Sequence, residues 1–313
     1  MSTLSITAPS FAKINWSLRI LGRRPDGYHE LRTHLQTVSL CDDLQFEARS
    51  DNNVNLSSND GLVPTDESNL IIRAALALRD CFQISVGANI RLDKRIPMKA
   101  GLGGASSNAA VTLLSLARLW KLNASVSELL EIGSRLGADV PFFLIGGQVL
   151  ATGRGTHLRA IPDDNQTNTQ LLIVKPNATV ATIDAYRALR APALTSTSGD
   201  SILSSSRAGA DLQLADRWTL HNDFEDVIFE SEPEIERVKN ALDDVGAIGS
   251  LLAGSGSSVF GIFENKLSQE RAAKELQAEA GWRIFPATTI SRGEYRQALG
   301  PCGILLSRSE IET

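Results

Sequence analysis

No apolar run of roughly 18 residues occurs in this chain of 313, which excludes a transmembrane helix. Cysteine is scarce: Cys41, Cys81 and Cys302 are odd in number and widely scattered. They form neither a disulfide framework nor a metal-ligand cluster and are read as reduced core or surface thiols. Positive charge is not in excess, because 31 Lys and Arg stand against 36 Asp and Glu, a net charge of −5. No general attraction to nucleic acid or to an anionic membrane is therefore expected. The opening residues, MSTLSITAPSFAKIN, have neither a basic start nor a long apolar core, so no secretory signal is expected. There is no internal repeat and no cluster of carboxylates that would cage a metal. With 42% apolar and 21% charged residues, the expectation is a globular, cytoplasmic protein of two domains.

What is present is patterned. Ala12, Ile14, Trp16, Leu18 and Ile20 alternate with Lys13, Asn15, Ser17 and Arg19, the period of a half-buried strand, with Lys13 and Asn15 on one open face. Arg24-Pro25-Asp26-Gly27 carries proline and glycine where a type I turn wants them. Residues 67–78 read as a helix and 88–92 as a strand. Ser125 and Glu128 form a capping box for a helix striped by Leu129, Ile132 and Leu136, with Gly137 as its C-terminal cap. Pro141 holds Val140 extended, and 142–144 and 148–151 read as strands. After a polar run at 161–169, 171–174 reads as a strand. The small polar residues of 195–211 read as a mobile surface loop. Ser231 and Glu234 suggest a second capping box. Residues 259–263 read as a strand, 268–280 as a helix capped by Gly281, and 283–285 as a strand. The alternation lacks the regular repeat of a doubly wound sheet, which points to an α+β architecture with a cleft between two domains, 1–162 and 163–313.

The segment PMKAGLGGASSNAAV (97–111) carries the chemistry. Gly101, Gly103 and Gly104 precede Ser106, Ser107 and an apolar helix, 109–120, on which Ala110, Leu113, Leu114 and Ala117 share a face. Glycine lets the backbone approach a ligand without a Cβ in the way, and unpaired N–H groups at a helix start favour an anion, most often a phosphate. No lysine follows the glycines as in a P-loop, and Ser107 stands where a dinucleotide fingerprint needs glycine. On these residues alone, a plain turn from strand to helix is an equal reading.

Four blocks in order change that balance: AKINWSLRILGRRPDGYHEL (12–31), PMKAGLGGASSNAA (97–110), LGADVPFF (136–143) and LLAGSGSSVFGIF (251–263). Together they resemble the GHMP small-molecule kinases, and among these the branch acting on a cytidine-diphosphate-linked methylerythritol in non-mevalonate isoprenoid synthesis. The PDGYHEL element is the most discriminating of the four. The resemblance implies a two-domain GHMP kinase fold, with an N-terminal ribosomal-protein-S5-like nucleotide domain and a C-terminal ferredoxin-like α/β-sandwich domain. It also implies ATP-dependent phosphorylation of the substrate 2-hydroxyl.

Phosphoryl transfer to an alcohol needs a cradle for the triphosphate, charge compensation, and a group that positions or deprotonates the hydroxyl. By resemblance, Asp139 is the catalytic base and Lys13 orients and polarises the pair; an ammonium nearby would keep Asp139 ionised and stabilise a forming alkoxide. The ATP site implied is Pro97, Met98, Lys99, Ala100, Gly101, Leu102, Gly103, Gly104, Ala105, Ser106 and Ser107, with Asn69 and Leu70 as the adenine-side wall. On the substrate side, Asn15 bonds near the reacting hydroxyl and Thr182 does so from the second domain. His29 reads the edge of cytosine, Tyr28 packs on one face of its ring and Tyr186 on the other; a core helix tyrosine is the alternative reading of Tyr186. Gly254 and Gly256 match the third family motif. Mg²⁺ is expected to arrive with ATP, bound mainly through phosphates, and the sequence leaves open which of Ser106 and Ser107 it meets. The implied partners are ATP and the cytidine-diphosphate substrate alone, in a monomer or homodimer. Lys99, Ala105 and Trp16 depart from the family pattern, as does the length of the tail after Arg296. Another GHMP kinase acting on mevalonate or homoserine, and a non-catalytic nucleotide sensor on the same fold, are the competing readings.

Overall fold

The alternating segment lies inside β1 (Ser5–Arg23), which pairs antiparallel with β2 (His29–Arg49) in the computed structural model. The structure describes residues 5–163, 168–193 and 220–307; the polar stretch 195–211 lies outside them. At 19 and 21 residues, these strands far exceed the usual length of about 5–6. Register shifts at Phe11/Ala12, Asn15/Ser17 and Ile20/Gly22 let so long a ribbon bend and twist. Beside the C-terminal half of β2 lie β3 (Val54–Ser58) and β4 (Gly87–Asp93); beside its N-terminal half lie β5 (Gln148–Gly153) and β6 (His157–Ile161). β7 (Gln170–Lys175) opens a second sheet, whereas β8 (His221–Asn222) returns to run parallel to β1. β9 (Gly249–Leu252), β10 (Val259–Phe263) and β11 (Arg283–Thr288) complete the second sheet in the order β11-β7-β10-β9, all antiparallel.

Four helices cover the outer face of the first sheet: α1 (Leu70–Phe82), α2 (Gly104–Leu119), α3 (Val126–Leu136) and α4 (Val140–Ile145). α5 (Thr182–Leu189), α6 (Glu225–Ser231), α7 (Pro233–Asp244) and α8 (Lys266–Leu276) join the second unit. The period of β7 explains how the two sheets meet. Leu171 and Ile173 face Ala12, Ile14 and Trp16 of β1, while Leu172 and Val174 face Val238 of α7 and Ala272 of α8. Trp16 meets Phe260 edge-on, centroids 5.8 Å apart. The layering is thus helix, sheet, sheet, helix. The expected boundary at 162/163 falls between β6 and β7. The chain's end crosses back: α9 (Arg292–Ala298) and the 3₁₀ segment Gly300–Ser307 bury Tyr295, Leu299, Cys302 and Leu306 in the first core.

Several local expectations are corrected. Residues 142–144 are helical, because Pro141 sits in the first turn of α4, where its missing N–H costs nothing. Ser231 ends α6, its hydroxyl donating to the Ile228 carbonyl, and Glu232 rather than Ser231 precedes α7, which starts on Pro233. Gly137 ends α3 in extended backbone (φ 178°), not in a left-handed cap. The capping box of Ser125 and Glu128 is present.

Candidate active site

A cleft of about 610 Å³ is lined from both units, by Lys13 and Asn15 of β1, residues 97–106, Asn69, Leu70, Asp139, Thr182, Tyr186 and Gly254. Its floor is set by the glycine loop. Gly101 (φ 77°) and Gly103 (φ 70°) are left-handed. A Cβ on Gly101 would lie 1.8 Å from the Ala253 carbonyl oxygen, and one on Gly103 2.9 Å from the Phe143 ring and 3.1 Å from Lys13 Cγ. Only glycine fits such approaches. Ala100 and Leu102 are buried between the two sheets, which anchors the loop from below. α2 begins on Gly104, five residues before the sequence suggested, and no side chain caps its N-terminus. Its first N–H groups are therefore available to a phosphate. Ser106 lines the cleft. Ser107 does not: it is fully buried and its hydroxyl accepts from Ser10 Oγ at 2.8 Å.

Lys13 is the pivot of the site. The expected open face is in fact buried, with Lys13 4% and Asn15 3% exposed, because the loop and the second unit close over β1. The Lys13 N–H donates to the Leu102 carbonyl at 3.0 Å, tying strand to loop. Its Nζ donates to Asn15 Oδ1 at 2.7 Å, and Asn15 Nδ2 in turn donates to Thr33 Oγ1 at 2.7 Å. Burial pulls the lysine pKa below its ordinary value, and the negative charge of Asp139 opposes that pull. Asp139 occupies the N-cap position of α4 but makes no side-chain cap bond, so its carboxylate is not spent on its own helix. Its charge also reaches Tyr186, whose phenol is pushed up to about 12, first by burial and then by Asp139. Lysine, carboxylate and aromatic thus share one electrostatic neighbourhood.

The third-motif turn closes over this pair. A Cβ on Gly254 would lie 3.0 Å from the Gly101 carbonyl oxygen and 3.2 Å from Lys13 Nζ. Gly256 (φ 90°) instead packs toward Leu252, Val180 and Ile228 and does not line the cleft. Thr182, opening α5, shares a 3.0 Å hydrogen bond with Ser255. Asn69 caps α1 by accepting from the Ile71 N–H, and donates to the Pro64 carbonyl. Lys99 is exposed, with φ 52°.

The aromatic residues are arranged otherwise than expected. Tyr28 is 57% exposed, and the Arg154 guanidinium lies 4.3 Å from its ring centroid. His29 stacks on Tyr186 at 4.7 Å, and Tyr186 meets Phe224 edge-on at 4.9 Å. Neither Tyr28 nor His29 lines the cleft; His29 reaches it through Tyr186. Burial and the charge of Arg23 pull the His29 pKa down.

Three residues, Lys94, Asp42 and Asn222, escaped the sequence. Lys94 lines the cleft and bonds the fully buried Asp42 at 2.8 Å, while Asp42 also accepts from the N–H groups of Arg95 and Ile96 at 2.7 Å. This pairing joins segments 52 positions apart, which no local pattern reveals. Asn222 donates to the carbonyls of Leu252 and Gly254 at 2.8 and 2.7 Å and so holds the third-motif turn. Its signal was an Asn-Asp pair just ahead of a helix, a common turn-former.

Residues 69–147 match the GHMP kinases N terminal domain and residues 206–281 the GHMP kinases C terminal domain. The chain is 40% identical over 257 residues to the 4-diphosphocytidyl-2-C-methyl-D-erythritol kinase of Alkaliphilus metalliredigens, covering 82% of this chain and 87% of that protein. To the protein of the same name from Prosthecochloris aestuarii it is 41% identical over 293 residues, covering 91% and 98%. A crystal structure of 4-(cytidine 5'-diphospho)-2C-methyl-D-erythritol kinase superposes with a TM-score of 0.73 at 33% identity, covering 91% of this chain and 99% of that one. Homoserine kinase from Cytophaga hutchinsonii, at 22% identity and a TM-score of 0.68 over 92% and 95%, shares the fold.

Proposed function

The chain belongs to the 4-diphosphocytidyl-2-C-methyl-D-erythritol kinases of the GHMP family, and on that premise we propose how its cleft moves the terminal phosphoryl group of ATP onto the 2-hydroxyl of that alcohol. The observation that carries the reading is the convergence of Lys13, Asp139 and the glycine loop on one cleft. ATP use follows from membership among the GHMP kinases. The uncapped start of α2 and the left-handed glycines suit a triphosphate. Mg²⁺ would arrive on the phosphates, with Ser106 of the cleft lining at hand to meet it. Bound there, the metal would offset phosphate charge during transfer.

Asp139 takes the proton of the substrate hydroxyl. Asn15 and the ammonium of Lys13 orient that oxygen and stabilise its developing charge in a site shielded from water. Burial matters here: a buried ammonium acts through a lower dielectric than a surface lysine does. Tyr186, which lines the cleft, receives the cytosine, and His29, stacked on Tyr186 outside the lining, is the group we assign to its edge. We assign the enzyme to the cytoplasm, as a monomer or homodimer that binds neither nucleic acid nor membrane; among the described residues no helix is long and apolar enough to cross a membrane.

The test is ADP release by purified protein with Mg-ATP, comparing the cytidine-diphosphate alcohol against mevalonate and homoserine. Selective turnover of the cytidine compound is expected. Preference for another alcohol would keep the fold and overturn the specificity.

A further inference from the structure

The third-motif turn, residues 253–258, follows β9, the end strand of the second sheet. At Leu252 the free edge of β9 is met by side chains instead of a further strand. The Leu252 N–H donates to Glu225 Oε1 at 2.9 Å, and its carbonyl accepts from Asn222 Nδ2 at 2.8 Å. The same amide nitrogen also reaches into the turn, donating to the Gly254 carbonyl at 2.7 Å. Asn222 Oδ1 accepts the Phe224 N–H at 3.0 Å. This buried amide thus uses two donors and its acceptor at once. β8 sets Asn222 beside Leu18 of β1, the strand that carries Lys13. Gly254 in turn abuts the reaction centre, since a Cβ there would lie 3.2 Å from Lys13 Nζ.

We propose that Asn222 is a positioning residue for phosphoryl transfer: by fixing the Gly254 carbonyl it holds the third-motif turn against Lys13 and the glycine loop. The inference rests on the function proposed above, in which Lys13 acts on the reacting oxygen. Gly254 and Ser255 line the cleft and Asn222 does not, so Asn222 acts through the turn and not on the substrate. The residue type is dictated by the bonds. An aspartate of the same shape would turn acceptor oxygens toward two carbonyls, and a serine has one donor for the pair. Held in place, the turn closes one side of Lys13 and keeps its ammonium shielded, where its charge acts through a low dielectric. Without the amide, two buried carbonyls lose their donor and the turn is free to draw back. A displacement of about 1 Å at a reacting centre costs about a hundredfold in rate.

The test compares Asn222→Ala with Glu225→Ala. The second change removes the partner of the Leu252 N–H and of Lys239 but leaves the Gly254 carbonyl bonded. Both should lower the melting temperature, because each leaves a buried backbone group unpaired. With the cytidine-linked alcohol as substrate, Asn222→Ala should lower kcat by about ten- to a hundredfold while both KM values stay unchanged. Glu225→Ala should keep the wild-type kcat. Asn222→Ser, with one donor in place of two, should fall between, and it carries the comparison if the alanine variant does not fold. An unchanged kcat in the Asn222 variants overturns the proposal. So does an equal fall in Glu225→Ala, which would reduce Asn222 to a support of the second core. If the wild type itself does not turn over the cytidine-linked alcohol, the function proposed above fails, an outcome distinct from either of these.

Discussion

The imidazole of His29 lies against the phenol ring of Tyr186, centroids 4.7 Å apart and planes 26° from parallel. One ring comes from the first residue of β2 and the other from α5 of the second unit, so the stack bridges the two units beside the cleft that Tyr186 lines. On the proposed reading, a base entering the cleft stacks on Tyr186. Stacking of a base on an aromatic ring is worth about 1–3 kcal/mol. Tyr186→Ala should therefore raise KM for the cytidine-linked alcohol by about tenfold or more and leave KM for ATP unchanged. Steady-state kinetics with each substrate varied in turn reads this directly; a KM for the alcohol that does not move would remove Tyr186 from the base site.

The same stack carries a pH signature. Burial and Arg23 hold the His29 pKa below its ordinary value, so the unfolded chain takes up this proton more readily than the folded one. Its contribution is then flat at neutral pH, and native stability falls as pH drops below about 6.5. Urea unfolding of wild type and His29→Gln from pH 8 to pH 5 should show a constant difference above that point. Below it, the difference should drift against the wild type; parallel profiles throughout would contradict the assignment.

On the proposed mechanism Lys13 trades stability for function. Its pKa is lowered chiefly by burial, against the opposing charge of Asp139. The folded chain therefore holds this proton less tightly than the unfolded chain does, a cost present at every pH below about 10.5. Lys13→Met removes the buried charge but leaves Asn15 Oδ1 without its donor. Turnover should fall by about 10²–10⁴, while the melting temperature stays level or rises. A melting temperature several degrees lower would show that the ammonium stabilises the fold.

The C-terminal tail braces the helix that carries Asp139. The Tyr295 hydroxyl, fully buried, donates to the Phe143 carbonyl in α4. The Phe143 ring is what a side chain at Gly103 would strike. Tyr295→Phe should cost about 1–3 kcal/mol of stability by leaving that carbonyl unpaired. It should also lower kcat several-fold with both KM values unchanged. A loss of stability with kcat intact would make Tyr295 structural only.

Much of this site was legible in the residues, and what was not has physical causes. The period of β1 placed Lys13 and Asn15 on one face, and the glycines of 101–104 announced a close approach. Alternation cannot tell a solvent-facing strand from one covered by another segment, so the buried state of Lys13 was invisible. Pro141 was misread because proline is tolerated in a helix's first turn as readily as in extended chain. Asp42, Lys94 and Tyr295 act through contacts between distant segments, and nothing in their local sequence marks them. Ser106 and Ser107 are adjacent yet diverge, one into the cleft and one toward Ser10, because helical geometry turns successive side chains to different faces.

Asp139→Asn tests the centre of the account. It keeps the shape of the side chain and removes its charge, at a position that makes no cap bond to its own helix. Turnover of the cytidine-linked alcohol should fall by about 10²–10⁴, with the affinity for ATP, measured by titration on the same protein, unchanged. Turnover within a few fold of wild type would contradict the assignment of Asp139 as the base.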